Sequence, residues 1–154
     1  MIFNLRDLEL ETDPDFPEGR RFYGRSLTEQ VGATLTGLSV YEIPAGEGHW
    51  PYHFEIPEEE WFIVIEGTLV LRTPDGERTL TAGDVACCVA GAAGAHGVLR
   101  NESGVPVRFA MPSSQAKYGG ACVYPDSGKV SIATRDFRHR GYLGDPVPYW
   151  DGEA

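Results

Sequence analysis

The chain has 154 residues, of which 42% are hydrophobic and 23% charged, the profile of a globular protein with room for one core. Asp and Glu number 23 against 13 Lys and Arg, a net charge of −10 that repels phosphate backbones and argues against a nucleic-acid partner. No apolar run approaches the ~18 residues of a membrane span, and the start, MIFNLRDLELETDPDF, is acidic from Asp7 onward; no membrane association and a cytoplasmic location are expected.

In chain order, the first clear element is a strand over residues 33–43 (ATLTGLSVYEI), closed by Pro44, Ala45 and Gly46. Residues 61–66 and 68–73 read as two strands meeting at Gly67. Pro74-Asp75-Gly76 is a hairpin signal, because Pro presets φ and Gly accepts positive φ. ERTL returns, Ala82-Gly83-Asp84 turns, and VACCVA forms the next strand. The small-residue loop Gly91–Ala95 leads into HGVLRN. A turn at Asn101–Gly104 then leads into VPVRFAMP, where Val105, Val107, Phe109 and Met111 share one face and Arg108 takes the other. From Ser113 the alternation weakens: Tyr124–Val130 reads as a turn or loop, and 134–154 as an extension packed on the outside. Arg135, Arg138, His139 and Arg140 form a short basic stretch, interrupted by Asp136 and an aromatic, that reads as a solvated loop. The cysteines, Cys87, Cys88 and Cys122, are odd in number and do not suggest a disulfide framework; buried inert thiols are expected, with Cys87 and Cys88 on opposite faces.

No long helical window and no internal repeat appear, so one all-β domain over 1–154 is expected, closed as an antiparallel barrel or jelly roll that removes exposed edges. Its chemistry concentrates between Gly46 and Gly67. In an extended chain His53 and Glu55 lie on one face, with His49 in phase before Pro51. Glu60 follows the turn-like Ile56-Pro57-Glu58 and can fold back towards His53, while Phe62 and Val64 make its face apolar further along. A carboxylate buried beside apolar residues and a second carboxylate needs a compensating cation, and a metal supplies one. Glu55 could instead turn outward with the acidic run Glu55–Glu60, and His49 could be a rim histidine.

These motifs resemble those of the cupin superfamily. The first runs Gly46, Gly48, His53-Phe54-Glu55, Glu60 and Gly67; the second runs Gly83-Asp84, VACCVA, Gly91, Gly94, His96 and Asn101. The resemblance covers about residues 33–112, and YPDSGKV and YWDGE are similar to segments of small bacterial single-domain cupins. It implies a double-stranded β-helix and a metal held by His53, position 55, Glu60 and His96. Glu55 stands where the family has a second histidine, so the ligand set becomes two histidines and one or two carboxylates, suited to Fe, Mn, Zn or Ni. Glu55 is then either a fourth ligand or a catalytic base. The function expected from this resemblance is metal-dependent chemistry on a small oxygen-rich metabolite by an oxygenase, isomerase or decarboxylase. The alternative is a non-catalytic module that binds a sugar or another small molecule. A homodimer is the expected assembly.

Overall fold

Two-residue alternation builds most of the molecule, which a computed structural model describes over residues 1–115 and 119–153. The strands are β1 (Tyr23–Ser26), β2 (Thr36–Ile43), β3 (Phe54–Ile56), β4 (Glu60–Glu66), β5 (Thr68–Thr73), β6 (Gly76–Thr81), β7 (Val85–Cys88), β8 (Gly97–Val98), β9 (Val107–Ser114), β10 (Gly119–Tyr124), β11 (Lys129–Thr134) and β12 (Arg138–Tyr142). A four-residue helix, α1 (Thr28–Val31), separates β1 from β2. A five-stranded sheet runs β1-β2-β9-β4-β7, a four-stranded sheet β12-β11-β10-β3 and a three-stranded sheet β6-β5-β8. The pairings are antiparallel, as the expected all-β double-stranded β-helix requires.

The core forms where alternating faces meet. Phe62 and Val64 of β4, Leu69 and Leu71 of β5, Val107 and Phe109 of β9 and Ile43 of β2 are all buried. Phe62 and Phe109 pack with ring centroids 5.8 Å apart, and Phe109 continues into Trp50 at 5.6 Å and Tyr41 at 5.7 Å. This aromatic layer underlies the residues of chemical interest. Gly67 joins β4 to β5 at φ +78, where a Cβ would meet the Pro106 carbonyl oxygen at 2.5 Å, so both the turn and the packing require glycine.

The strands expected up to residue 112 are present, with shifted ends: β2 begins at Thr36 and β9 extends to Ser114. Val105 lies before β9 and is exposed, so it does not share the buried face of Val107, Phe109 and Met111. The larger correction concerns the C-terminal third. Tyr124–Val130 does contain a turn, but it joins β10 to β11, and β12 completes a meander that pairs through β10 with β3. Arg138, His139 and Arg140 therefore lie on an exposed edge strand, not in a loop. Cys88 is buried as expected; Cys87, on the opposite face of β7, is exposed, and Cys122 is half-buried. No helix among the described residues is long and apolar enough to cross a membrane.

Candidate metal centre

Two histidines far apart in sequence meet because their backbones pair. His53 N–H donates to the His96 carbonyl at 2.8 Å, and His96 N–H donates to the His53 carbonyl at 2.7 Å. Such a hydrogen-bonded pair puts both side chains on one face, and the ring centroids are 4.6 Å apart. Gly97 permits the approach: a Cβ there would lie 3.1 Å from both the Trp50 carbonyl oxygen and Tyr52 Cα. Glu60 opens β4 and reaches the same space, with Oε2 3.1 Å from His96 Nε2. The ligand atoms of His53, Glu60 and His96 all lie within 4.8 Å of one another.

Both imidazoles are oriented by the backbone. His53 Nδ1 donates to the Pro51 carbonyl at 2.8 Å, and His96 Nδ1 donates to the Gly94 carbonyl at 2.9 Å. A carbonyl only accepts, so the proton resides on Nδ1 and each neutral ring keeps its lone pair on Nε2. Phe62 supports His96 edge-on at 5.3 Å. His96 Nε2 is buried and, despite its ion-pair distance to Glu60, makes no directed hydrogen bond. An orphaned buried nitrogen, a second lone pair and a carboxylate converging on one space fit a divalent cation.

The same space explains how protons distribute without a metal. Burial is the largest influence on His96 and favours the neutral ring, but the Cys88 thiol, the Glu60 carboxylate and the Gly94 carbonyl together push its pKa up to about 10. His53 moves down, through burial first and then repulsion from a charged His96. The proton of the pair thus resides on His96, and a metal must displace it.

Glu55 points inward, not out with the acidic run. Its Oε1 is 3.6 Å from His53 Nε2, and its side chain is 20% exposed. Burial, followed by the nearby Glu60 carboxylate, raises its pKa to about 7. It stands outside the His53–Glu60–His96 group and instead forms a second group with His53 and Cys122, again within 4.8 Å. Cys122 is the direct cross-strand partner of Glu55, and burial pushes its thiol up to about 12, so it is neutral. His49 is exposed, belongs to neither group and sits in the left-handed region at φ 65.

Two neighbours of the centre escaped sequence reasoning. Cys122 and Tyr124 both lie on β10, and Tyr124 stacks on His53 with centroids 5.6 Å apart. The signal was available: ACVY and KVSI flank PDSG, a hairpin pattern. The motif residues outside the ligand group have structural tasks. Asn101 is buried; its Nδ2 donates to the Ile43 carbonyl at 3.0 Å and the Val105 carbonyl at 2.8 Å, while its Oδ1 accepts from Ser103 Oγ at 2.7 Å. Asp84 accepts from the Thr81 N–H and hydroxyl and so ties the turn before β7.

Residues 39–112 match the family model of the cupin domain. No curated protein matches the sequence. Among solved structures, a cupin-superfamily sugar phosphate isomerase from Silicibacter pomeroyi superposes with a TM-score of 0.77 at 19% identity, covering 97% of this chain and 98% of the other. A protein of Acidithiobacillus ferrooxidans, provisionally named a sugar phosphate isomerase, gives 0.78 at 19% identity over 93% and 90%. The polyketide cyclase RemF of Streptomyces resistomycificus gives 0.61 at 23% identity over 75% and 80%. At these identities the shared property is the fold. The matched motifs, the strand topology and these likenesses agree: the chain carries a cupin domain over residues 39–112, in a fold it shares with these structures.

Proposed function

We propose that His53, Glu60 and His96 hold a divalent cation and that Glu55 serves beside it as a general base in the isomerisation of a small hydroxycarbonyl metabolite. The observation that carries this reading is the placement of Glu55: its Oε1 lies 3.6 Å from His53 Nε2, inside the site yet outside the ligand triad, and its pKa of about 7 in the metal-free protein falls when a cation compensates Glu60. With the cation in place Glu55 is the ionised carboxylate, the form that accepts a proton. A divalent cation supplies Lewis-acid polarisation of a bound carbonyl or hydroxyl. Glu55 removes the proton from the carbon beside the carbonyl and returns it to the neighbouring carbon, while the hydroxyl proton passes between the two oxygens. Atoms and electrons balance without an external oxidant, and the neutral Cys122 thiol beside Glu55 is not consumed. The isomerase names of two near-full-length structural neighbours are in keeping with this class of reaction.

The test is deuterium exchange. Metal-loaded protein is incubated in D2O with a panel of small aldoses, ketoses and their phosphates, and label at the carbon beside the carbonyl is followed by NMR. Incorporation by the wild type, reduced about 100-fold or more in Glu55→Gln, is the expected result. Metal and sugar binding with no exchange would favour a binding module instead, and metal-dependent oxygen uptake would favour an oxygenase.

A further inference from the structure

Beside the candidate centre lies a cavity of about 200 Å³ whose charge runs against that of the protein. Acidic residues outnumber Lys and Arg by 23 to 13 in the whole chain, yet this cavity is lined by three cations, Arg20, Arg72 and Lys129, and one carboxylate, Asp126. Asp126 is already engaged: both its oxygens accept from the Arg72 guanidinium, with Nη2–Oδ1 at 3.0 Å. That pairing uses two of the five guanidinium N–H groups and leaves the others available. It also fixes the fork, as does the Tyr52 ring, whose centroid is 4.0 Å from Arg72 Cζ. Arg20 is anchored through Nη1, which donates to the His49 carbonyl at 3.2 Å. Lys129 Nζ lies 5.1 Å from the Tyr124 ring centroid.

We propose that this cavity is an anion subsite for the phosphate group of a phosphorylated small molecule, with Arg20, Arg72 and Lys129 as its recognising cations. Three positive charges against one negative leave a surplus of two, which a phosphate monoester dianion neutralises and a single carboxylate does not. His49 also lines the cavity, held at φ 65, a conformation disfavoured for a residue with a Cβ and worth noting where a ligand would sit. Tyr124 joins the two places, lining the cavity and stacking on His53. As a substrate subsite the cavity rests on the proposed reaction centre; as an anion site it does not.

The experiment is calorimetric titration with inorganic phosphate, and with acetate for comparison, against chelator-stripped and metal-loaded protein. Variants Arg20→Gln and Lys129→Gln test the cavity, and Arg138→Gln, on the exposed edge strand β12, is the control for general surface charge. Saturable phosphate binding to the stripped protein, tighter than acetate, weakened about tenfold by either cavity variant and unchanged in the control, is expected. That result stands even if the protein fails to hold a metal. Phosphate binding only to metal-loaded protein, unaffected by Arg20→Gln and Lys129→Gln, would make phosphate a ligand of the metal and overturn the subsite. Absence of binding, equal affinity for acetate, or equal weakening by Arg138→Gln would also overturn it. Thermal melts confirm that each variant is folded; because Arg20 also anchors the His49 loop, Lys129→Gln provides the independent arm.

Discussion

His53 and His96 are 43 residues apart in sequence and form one hydrogen-bonded cross-strand pair, with both rings on one side and each Nδ1 tied to the carbonyl two residues before it. The pairing fixes the directions of the two Nε2 atoms before any ligand arrives, and on His96 only the proton has still to leave. Preorganisation of this kind reduces the ordering that a metal would otherwise impose.

The aromatic support beneath that pair is testable. Phe62 is fully buried, packs on Phe109 and meets His96 edge-on. Phe62→Ala should destabilise the protein by about 3–5 kcal/mol, with Phe62→Leu losing much less. Urea denaturation of the two variants against wild type measures the difference.

Asn101 should behave as a clamp, not as a participant in chemistry. Its amide closes two carbonyls that belong to distant segments, Ile43 and Val105. Asn101→Ala should lower stability by about 1–3 kcal/mol, because it leaves the buried Ile43 carbonyl unpaired and frees the half-buried bond to Val105. Metal stoichiometry of the folded fraction should be unchanged, which metal analysis after gel filtration would check.

Glu55 gives a pH signature. Its pKa is raised from 4.5 to about 7 in the folded protein, so the fold binds a proton that the unfolded chain has already released. The stability contributed by the protonated form is complete below about pH 4.5 and is lost as the pH rises through 7. Metal-free Glu55→Gln should therefore be more stable than wild type at pH 8, by on the order of 1 kcal/mol once the partial exposure is allowed for. The gap should close near pH 5. Parallel urea titrations at the two pH values would read it, and a gap that widens on acidification would contradict the burial account of Glu55.

The barrel was legible in the sequence because its strands combine period-two alternation with strong punctuation: Pro74-Asp75-Gly76 and Ala82-Gly83-Asp84 lie where β5 and β6 turn, and Asn101–Gly104 lies in the connection between β8 and β9. The approach of Glu60 to His53 followed from strand phase and the turn at Pro57, whereas His96 joined them only through the resemblance of the motifs. The meander β10–β12 was only faintly legible: its residues are mostly half-buried or exposed and lack the apolar alternation of a core-facing strand, which leaves the turn signal Pro125–Gly128 as its one mark. Missing it concealed Cys122 and Tyr124, which reach the site only because β10 pairs with β3. The position of Glu55, inside but beside the triad, depends on that pairing too, and strand phase alone could not place it there.

Proton competition should govern metal uptake. His96 holds its proton up to about pH 10 in the metal-free protein, so a cation binding through Nε2 releases that proton. Apparent affinity should rise about tenfold per pH unit between pH 6 and 9, since each displaced proton adds one power of ten. Competition with a chromophoric chelator at several pH values measures the slope; a flat profile would mean that His96 is not displaced.

Metal content measures the central claim most directly. Chelator-stripped protein is reloaded separately with Mn(II), Fe(II), Ni(II) and Zn(II), desalted, and analysed for bound ion alongside Glu60→Ala, His96→Ala and His49→Ala. Retention of about one ion per chain by wild type and His49→Ala, with loss in Glu60→Ala and His96→Ala, is the predicted result. Negligible occupancy of the wild type with all four ions, or occupancy indifferent to Glu60 and His96, would contradict the metal centre.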